Sequence, residues 1–380
     1  MKRVEITTRP DWVQKVESQG LIYHSTEDQP YWNESAYYAF SEKEINLIEA
    51  ASTELHEMCL EAAQHIIDND RFSELSIPDA AIPAIKSAWD NEPPAIYGRF
   101  DLAYDGHELK LLEYNADTPT ALLEASVIQW HWLQECFPRL DQFNSIHEKL
   151  LVKWQDLKPY IREPLHFAYL SEKDVDNSED IMTTGYLMDL ALQQGIKSVA
   201  LTIEDIGWDE RQNTFVNQYG DSIQSIFKLY PWEWLLKDDF AKHLLNPANQ
   251  TQWIEPIWKM LLSNKGILPI LWELFPGHPH LLECYRGWPQ HMDNYVRKPL
   301  LSREGANISV HQGSAVQENP GPYGDEGFVY QAIASIPNFN GAFPILGSWI
   351  IDGVAAGIGI RESNSLVTNN MSCFVPHLIQ

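Results

Sequence analysis

The sequence predicts an α+β protein of mixed α/β character, and three observations lead there. Residues up to about 95 carry apolar side chains at helical spacing, residues 96–115 switch to extended runs around Asp105-Gly106, and residues 165–203 alternate strand, helix and strand. A helix buries one stripe and a strand one face, so the spacing of apolar residues separates the two.

In chain order, Ser41-Glu42-Lys43-Glu44 has capping-box spacing; the Ser oxygen can accept from the backbone three residues on while the Glu reaches back. It opens a run with Ile45, Leu47, Ile48, Ala51, Leu55 and Met58 on one stripe, and Pro93-Pro94 closes a helical N-terminal region over 1–95. Ile96–Tyr104 and Glu108–Asn115 flank Asp105-Gly106, a hairpin signal because both residues tolerate positive φ. A helix is expected from about Thr120 to Phe137. Leu165–Leu170 reads as a strand running into Ser171-Glu172-Lys173-Asp174, Ser178-Glu179-Asp180 as the cap of a helix ending at Gly195, and Ser198–Ile203 as the next strand. The hairpin and this βαβ lobe form the expected region 96–255. Residues 256–380 are richer in strands and glycine: Tyr295–Leu301, a polar loop Ser302–Asn307, Ile308–Gln312, Gly327–Ile333, and a second hairpin, Ser348–Ile351 and Val354–Arg361, about Asp352-Gly353.

Composition excludes several function classes. Of 380 residues 44% are apolar and 21% charged, a globular balance. Acidic residues number 53 against 27 basic, a net charge of -26. Such a surface lacks the basic field that nucleic acid or anionic lipid requires and suits a cationic ligand better; solubility alone also accounts for it. Cysteines stand far apart at 59, 136, 284 and 373, which argues against a disulfide framework or a Cys-rich zinc site. The charged start Met1-Lys2-Arg3-Val4-Glu5 lacks an apolar leader core, and the apolar stretch Ala342–Ile351 is too short to span a bilayer. A cytoplasmic protein acting on small molecules, without nucleic-acid or membrane partners, is the expectation.

Candidate chemistry concentrates in a few places. Arg99, Asp101, Glu113 and Asn115 sit on the first hairpin; carboxylates with an amide oxygen are the hard donors that Mg²⁺ prefers. Their convergence depends on register. A two-residue turn pairs Tyr104 with His107 and splits the set across both faces. A three-residue loop pairs Ala103 with His107, places all four on one face, and leaves Phe100, Leu102, Leu112 and Tyr114 on the other. The second separates polar from apolar residues better, while a solvated strand face and a metal site fit the pattern equally. Lys265, Lys298 and Arg361 lie on or beside apolar strands, where a cation reaches a phosphate or simply snorkels. The loop Ser302-Arg303-Glu304-Gly305-Ala306-Asn307 could lay backbone N–H groups over phosphates, or be an ordinary turn. His131 and the pair His278 and His280 are further metal-ligand candidates against a structural reading. Gly-x-Gly-x-x-Gly, Gly-x-x-x-x-Gly-Lys-[Ser/Thr] and Gly-x-Ser-x-Gly are all missing, which disfavours a Rossmann site, a P-loop and a serine-hydrolase elbow.

Tyr97-Gly-Arg-Phe-Asp-Leu-Ala-Tyr-Asp-Gly106 with Leu111-Leu-Glu-Tyr-Asn-Ala-Asp-Thr-Pro-Thr120 resembles the metal-binding core of glutathionylspermidine synthases. Trp258–Lys265, Val296–Gly305 and Gly357–Glu362 fit the same synthetase, so the resemblance covers nearly the whole chain. With no room before it for the cysteine amidase domain of bifunctional members, the sequence resembles the stand-alone synthetase-like branch of acid–amine ligases. The resemblance implies an ATP-grasp fold with a pre-ATP-grasp βαβ lobe, 256–380 being the nucleotide-binding lobe. It implies that ATP drives the joining of a glutathione-like carboxylate to a polyamine such as spermidine. It makes Asp101, Glu113 and Asn115 the Mg²⁺ ligands and places Arg99 at the terminal phosphate. Lys265 and Lys298 would hold the phosphates, the loop around Gly305 would be the lid, and Gln331-Ala332-Ile333-Ala334 the hinge that meets adenine. Arg361 would steady the acyl phosphate and tetrahedral intermediate.

The implied chemistry explains these residue types. A free carboxylate acylates poorly because oxide would have to leave; phosphorylation supplies a better leaving group. The protein then contributes positioning and charge neutralisation, and Arg can grip phosphate in a bidentate way. An ATP-binding sensor without turnover is the alternative on the same fold.

Overall fold

The computed structural model describes residues 1–25, 30–171, 178–367 and 372–380; the expected stretch Glu172-Lys173-Asp174 lies outside them. The architecture is mixed α/β, built around a central antiparallel sheet of five strands. Its order is Cys373–Val375, Val354–Ser363, Phe343–Ile351, Tyr97–Tyr104, Leu109–Asn115.

The long helix Glu42–Asp68 covers one face of that sheet. Ser41 caps it: Ser41 Oγ accepts from Glu44 N at 3.4 Å, and Glu44 Oε2 accepts from Ser41 N at 2.8 Å. Such a cap stabilises by about 1 kcal/mol. Ile45, Ile48, Ala51, Leu55 and Met58 are buried together with Phe100, Leu102, Leu346, Ile350, Ile358 and Ile360 of the sheet. Leu47 of the expected stripe is only partly buried. Ser52 and Ser348, both fully buried, satisfy each other across the interface at 2.7 Å.

The βαβ reading holds. Leu165–Tyr169, the helix Ser178–Gln193 and Ser198–Thr202 form it, and the two strands are parallel. Ser225–Lys228 and Gln252–Ile254 extend this parallel sheet on its other side. A second antiparallel sheet of five strands, order Cys284–Arg286, Phe328–Ala332, Asn294–Pro299, Ser309–Gln312, Ala315–Glu318, makes the third lobe. The helix expected over 120–137 appears as a π-helical turn Glu124–Ile128 continued by Gln129–Cys136.

The expected region boundaries need correction. The helical region 1–95 also holds strands Lys2–Glu5 and Ala36–Phe40, which pair with each other and with His377–Ile379 at the far end of the chain. The boundary at residue 255 separates strands that pair: Tyr97–Tyr104 lies against Phe343–Ile351, Arg99 opposite Trp349 and Asp101 opposite Gly347. Backbone hydrogen bonding between distant strands overrides a division drawn from composition along the chain. No helix among the described residues is long and apolar enough to cross a membrane.

Candidate active site

Register on the central sheet creates the site. Cross-strand partners point to the same face. Arg99 pairs with Asn115 and Asp101 with Glu113, and Arg361 enters the same face opposite Ile345. The first hairpin thus presents its four polar residues together, although neither expected turn forms. Tyr104 pairs with Leu109, and Asp105 N donates to Glu108 O at 3.2 Å across the turn. Asp105 Oδ1 accepts from His107 N and Glu108 N at 2.9 and 2.8 Å, and Gly106 takes a φ of 96°. The register would then split the set, but it shifts by one residue between Asp101 and Leu102. Leu111, rather than Leu112, joins the apolar face, opposite Leu102.

The bulge at Leu112 has a second consequence. Lys298 Nζ donates to Leu112 O at 2.9 Å and to Gln331 Oε1 at 2.6 Å, and Gln331 Nε2 donates to Leu111 O at 3.0 Å. The third lobe is thereby tied to the metal-candidate strand through side chains.

Arg99 spans the same face. Its Nε donates to Asp101 Oδ1 at 2.8 Å and its Nη1 to Thr120 O at 2.8 Å. Gly347 leaves room for it, since a Cβ there would stand 3.1 Å from Arg99 Cδ. Lys265 Nζ lies 3.1 Å from Glu113 Oε2 and donates to Ser302 O at 2.7 Å. Burial works to raise the Glu113 carboxyl, but Lys265, Lys298 and Arg99 outweigh it and hold it below the usual range. Burial pushes the Lys298 ammonium down to about 8 against the pull of Glu113.

Two cavities share Asp101, Glu113, Lys265, Ser302, Glu304 and Gly305. The first is an apolar slot walled by Val296, Ile308, Val310, Ile345, Leu366 and Val367, with Lys298 and Gln331–Ala334 in its lining. The second is polar and receives Arg99, Asn115 and Arg361. Every site residue that the family resemblance implies therefore lines one or both cavities. His278, His280 and His131 do not: His280 Nδ1 lies 3.1 Å from Leu109 O, beneath the hairpin, and His131 is exposed. No group of three His, Cys, Asp or Glu that could hold a metal occurs among the described residues.

The polar cavity adds residues that local patterns did not reveal. Glu179, Asp180, Glu233 and Tyr31 line it. Burial, with Glu179 and Glu304 adding to it and Arg303 opposing, pushes Asp180 up to about 7. Burial raises Glu233 as well, again against Arg303. Arg303, from the loop that the sequence left open between a phosphate cover and an ordinary turn, donates to Thr118 Oγ1 and lies 5.3 Å over the Trp234 ring. The segment that follows strand Leu109–Asn115 is pinned by a buried pair: Lys228 Nζ donates to Asp117 Oδ1 at 2.5 Å, and Asp117 Oδ2 accepts from Trp232 N at 2.9 Å. Glu179 and Asp180 carry a local signal, having been read as helix caps. Tyr31 and Glu233 carry none, because only tertiary packing brings them here.

The donor chemistry fits Mg²⁺ arriving with a polyphosphate. Asp101 and Glu113 offer carboxylates, and Asn115 Oδ1 accepts from Thr118 N at 3.0 Å and Asp117 N at 3.3 Å beside them. Two carboxylates and an amide are too few for a dedicated cation cage, whereas Mg²⁺ commonly combines one or two carboxylates with substrate phosphates. Ser302 Oγ and Arg361 Nε are buried in this wall without hydrogen-bond partners, as expected of atoms awaiting an anionic ligand.

Comparison with known proteins identifies the family. The family described as glutathionylspermidine synthase preATP-grasp matches residues 3–380. A Haemophilus influenzae protein named "Putative acid–amine ligase" is 41% identical over 394 residues, with 99% of each chain covered. A trypanothione synthetase of Crithidia fasciculata is 29% identical over 358 residues, which cover 86% of this chain and 54% of that one, so this chain spans about half the length of that relative. Among solved structures, a glutathione synthetase-like effector of Globodera pallida superposes with a TM-score of 0.62 over 97% of this chain and 95% of its own at 12% identity. That likeness is one of fold.

Proposed function

We propose a function from one premise: the chain belongs to the glutathionylspermidine synthase family. It is accordingly a carbon–nitrogen ligase. Within that class, the reading is an ATP- and Mg²⁺-dependent ligase that joins a glutathione-like carboxylate to a polyamine such as spermidine through an acyl phosphate. The carrying observation is a pair of cavities that share Asp101, Glu113 and Lys265: Lys298 stands in the apolar slot, whereas Glu179, Asp180 and Glu233 line the polar cavity together with Arg99 and Arg361. A nucleotide can occupy the slot with its phosphates at the shared wall while a polycation meets the carboxylates, and Arg361 Nη2 stands 3.9 Å from Glu179 Oε1.

The apolar slot takes the adenine, with Gln331–Ala334 as the hinge beside it. Lys265 and Lys298 hold the phosphates, and the anions hold Lys298 in its charged form against the pull of burial. Asp101, Glu113 and Asn115 would hold Mg²⁺, which when bound neutralises phosphate charge and supports transfer to the carboxylate. Arg99 meets the transferring phosphoryl group, where a fixed guanidinium counts most because charge develops there. The loop around Gly305, with Glu304 and Gly305 both at positive φ of 53° and 71°, closes over the nucleotide. Arg361 steadies the acyl phosphate. The carboxylates at the far end bind the polyammonium, and the reacting amine sits apart from them because their field favours its charged, unreactive form.

The test is ADP release by purified protein given Mg·ATP, glutathione and spermidine. ADP that appears only with both acceptors present, together with the conjugate by mass, supports the reading. Absence of ADP with a panel of peptides and polyamines, and of any thermal stabilisation by Mg·ATP, would sink it.

A further inference from the structure

Amide formation must remove a proton from the attacking nitrogen, and none of the roles above does so. We propose that Tyr31, backed by Glu124, takes that proton; this rests on the ligase reading above. Tyr31 Oη donates to Glu124 Oε1 at 2.6 Å. Tyr31 lines the polar cavity beside Glu179 and Arg361, whereas Glu124, 1% exposed, lies behind it. The Tyr31 ring is held at 5.1 Å from both Tyr23 and Phe374, and Arg361 lies 5.4 Å over the Phe374 ring. The phenol and the guanidinium assigned to the acyl phosphate therefore share one aromatic support. Glu124 opens the π-helical turn, a local widening that recurs at functional sites.

The amine nitrogen bonds to the carbonyl carbon, and the carbon–oxygen bond to phosphate breaks with its electron pair leaving on phosphate. The nitrogen's proton passes to Tyr31 Oη as the phenolic proton passes to the Glu124 carboxylate. After product leaves the relay resets in reverse: Glu124 returns a proton to Tyr31 Oη as Tyr31 gives one up to water entering the cavity. Tyr31 from the N-terminal segment, Glu179 from the helix and Arg361 from the sheet are the titratable or charged groups facing Glu124. Burial, with Glu179 adding and Tyr31 and Arg361 opposing, pushes Glu124 up to about 7, so it accepts a proton at neutral pH. Burial also raises the Tyr31 phenol far above its ordinary range, which makes the transfer concerted, without a resting tyrosinate.

Hydroxylamine separates this step from activation, because it is largely unprotonated at neutral pH and traps acyl phosphates without help. With Mg·ATP and glutathione, Glu124→Gln and Tyr31→Phe should each keep hydroxamate formation within about threefold of wild type. Spermidine amide formation should fall roughly a hundredfold, within the range general-base removal produces. The acid limb near pH 7 in the wild-type amide rate should vanish in Glu124→Gln. Hydroxamate and amide falling together in both variants, or amide formation staying within threefold, overturns the relay alone. A wild-type protein that makes neither ADP nor hydroxamate overturns the ligase reading and the relay with it.

Discussion

The two ends of the cavity are built in opposite ways. At the end proposed for the nucleotide, Arg99 and Lys298 come from strands, whereas Lys265 comes from the turn before the helix Ile267–Leu274 and not from the strand its sequence setting suggested. Backbone carbonyls position all three: Leu112 O for Lys298, Ser302 O for Lys265, Thr120 O for Arg99. At the acceptor end, carboxylates come from separate segments, and burial dominates them, raising Asp180 and Glu233. The first end has its cations held by hydrogen bonds before ligand binds. The second holds carboxylates whose ionisation burial opposes, so a polycation is the natural partner to restore it.

Breaking each end separately sharpens this contrast. The largest effect is expected from Arg99→Ala: ADP release should fall about a thousandfold, as loss of a transition-state guanidinium does, while ATP affinity changes less than threefold. Single-turnover ATP cleavage beside equilibrium ATP binding checks this; a matching loss of binding would make Arg99 a ground-state anchor. Lys298→Met should weaken Mg·ATP roughly a hundredfold, cutting the stabilisation expected at a hundredfold excess over the wild-type Kd from about 2.7 to about 0.4 kcal/mol. Spermidine binding by calorimetry should be unchanged, and if it weakens in parallel the two ends are not independent. Glu179→Gln with Asp180→Asn should raise the spermidine KM about tenfold, or about 1.4 kcal/mol, and leave ATP binding alone.

The smallest effect is on stability. Asp180 has a folded pKa of about 7, above its ordinary value, so the folded state binds its proton more tightly than the unfolded state. That contribution is complete below the unfolded carboxyl range and is lost as pH rises through about 7. Asp180→Asn should therefore melt higher than wild type at pH 8 and converge with it near pH 4. An equal offset at both pH values would mean the gain is not ionisation.

The same contrast governs what the sequence reveals. Arg99, Asp101, Glu113 and Asn115 alternate along two strands flanking a turn, and strand periodicity alone nearly brings them to one face. Even there, the route differs: the turn puts the register out of step, and the bulge at Leu112 restores it. Lys298, which by itself reads as a snorkelling surface lysine, is buried at 6% exposure because Gln331 and the freed Leu112 carbonyl satisfy it. Glu124 and Tyr31 stand 93 residues apart and share no local pattern.

By itself, then, the sequence determined the capped helix, the strands of the first hairpin with their alternating polar residues, and the βαβ unit. Each is written in the spacing of neighbouring residues, where helix and strand periods act; the phosphate roles of Lys265 and Lys298 came from the family resemblance instead. Only the tertiary structure decided the strand partners across the central sheet, the bulge that aligns Asp101 with Glu113, and the carboxylate end of the cavity. Those depend on hydrogen-bond register and burial between segments far apart in the chain, which local periodicity does not encode.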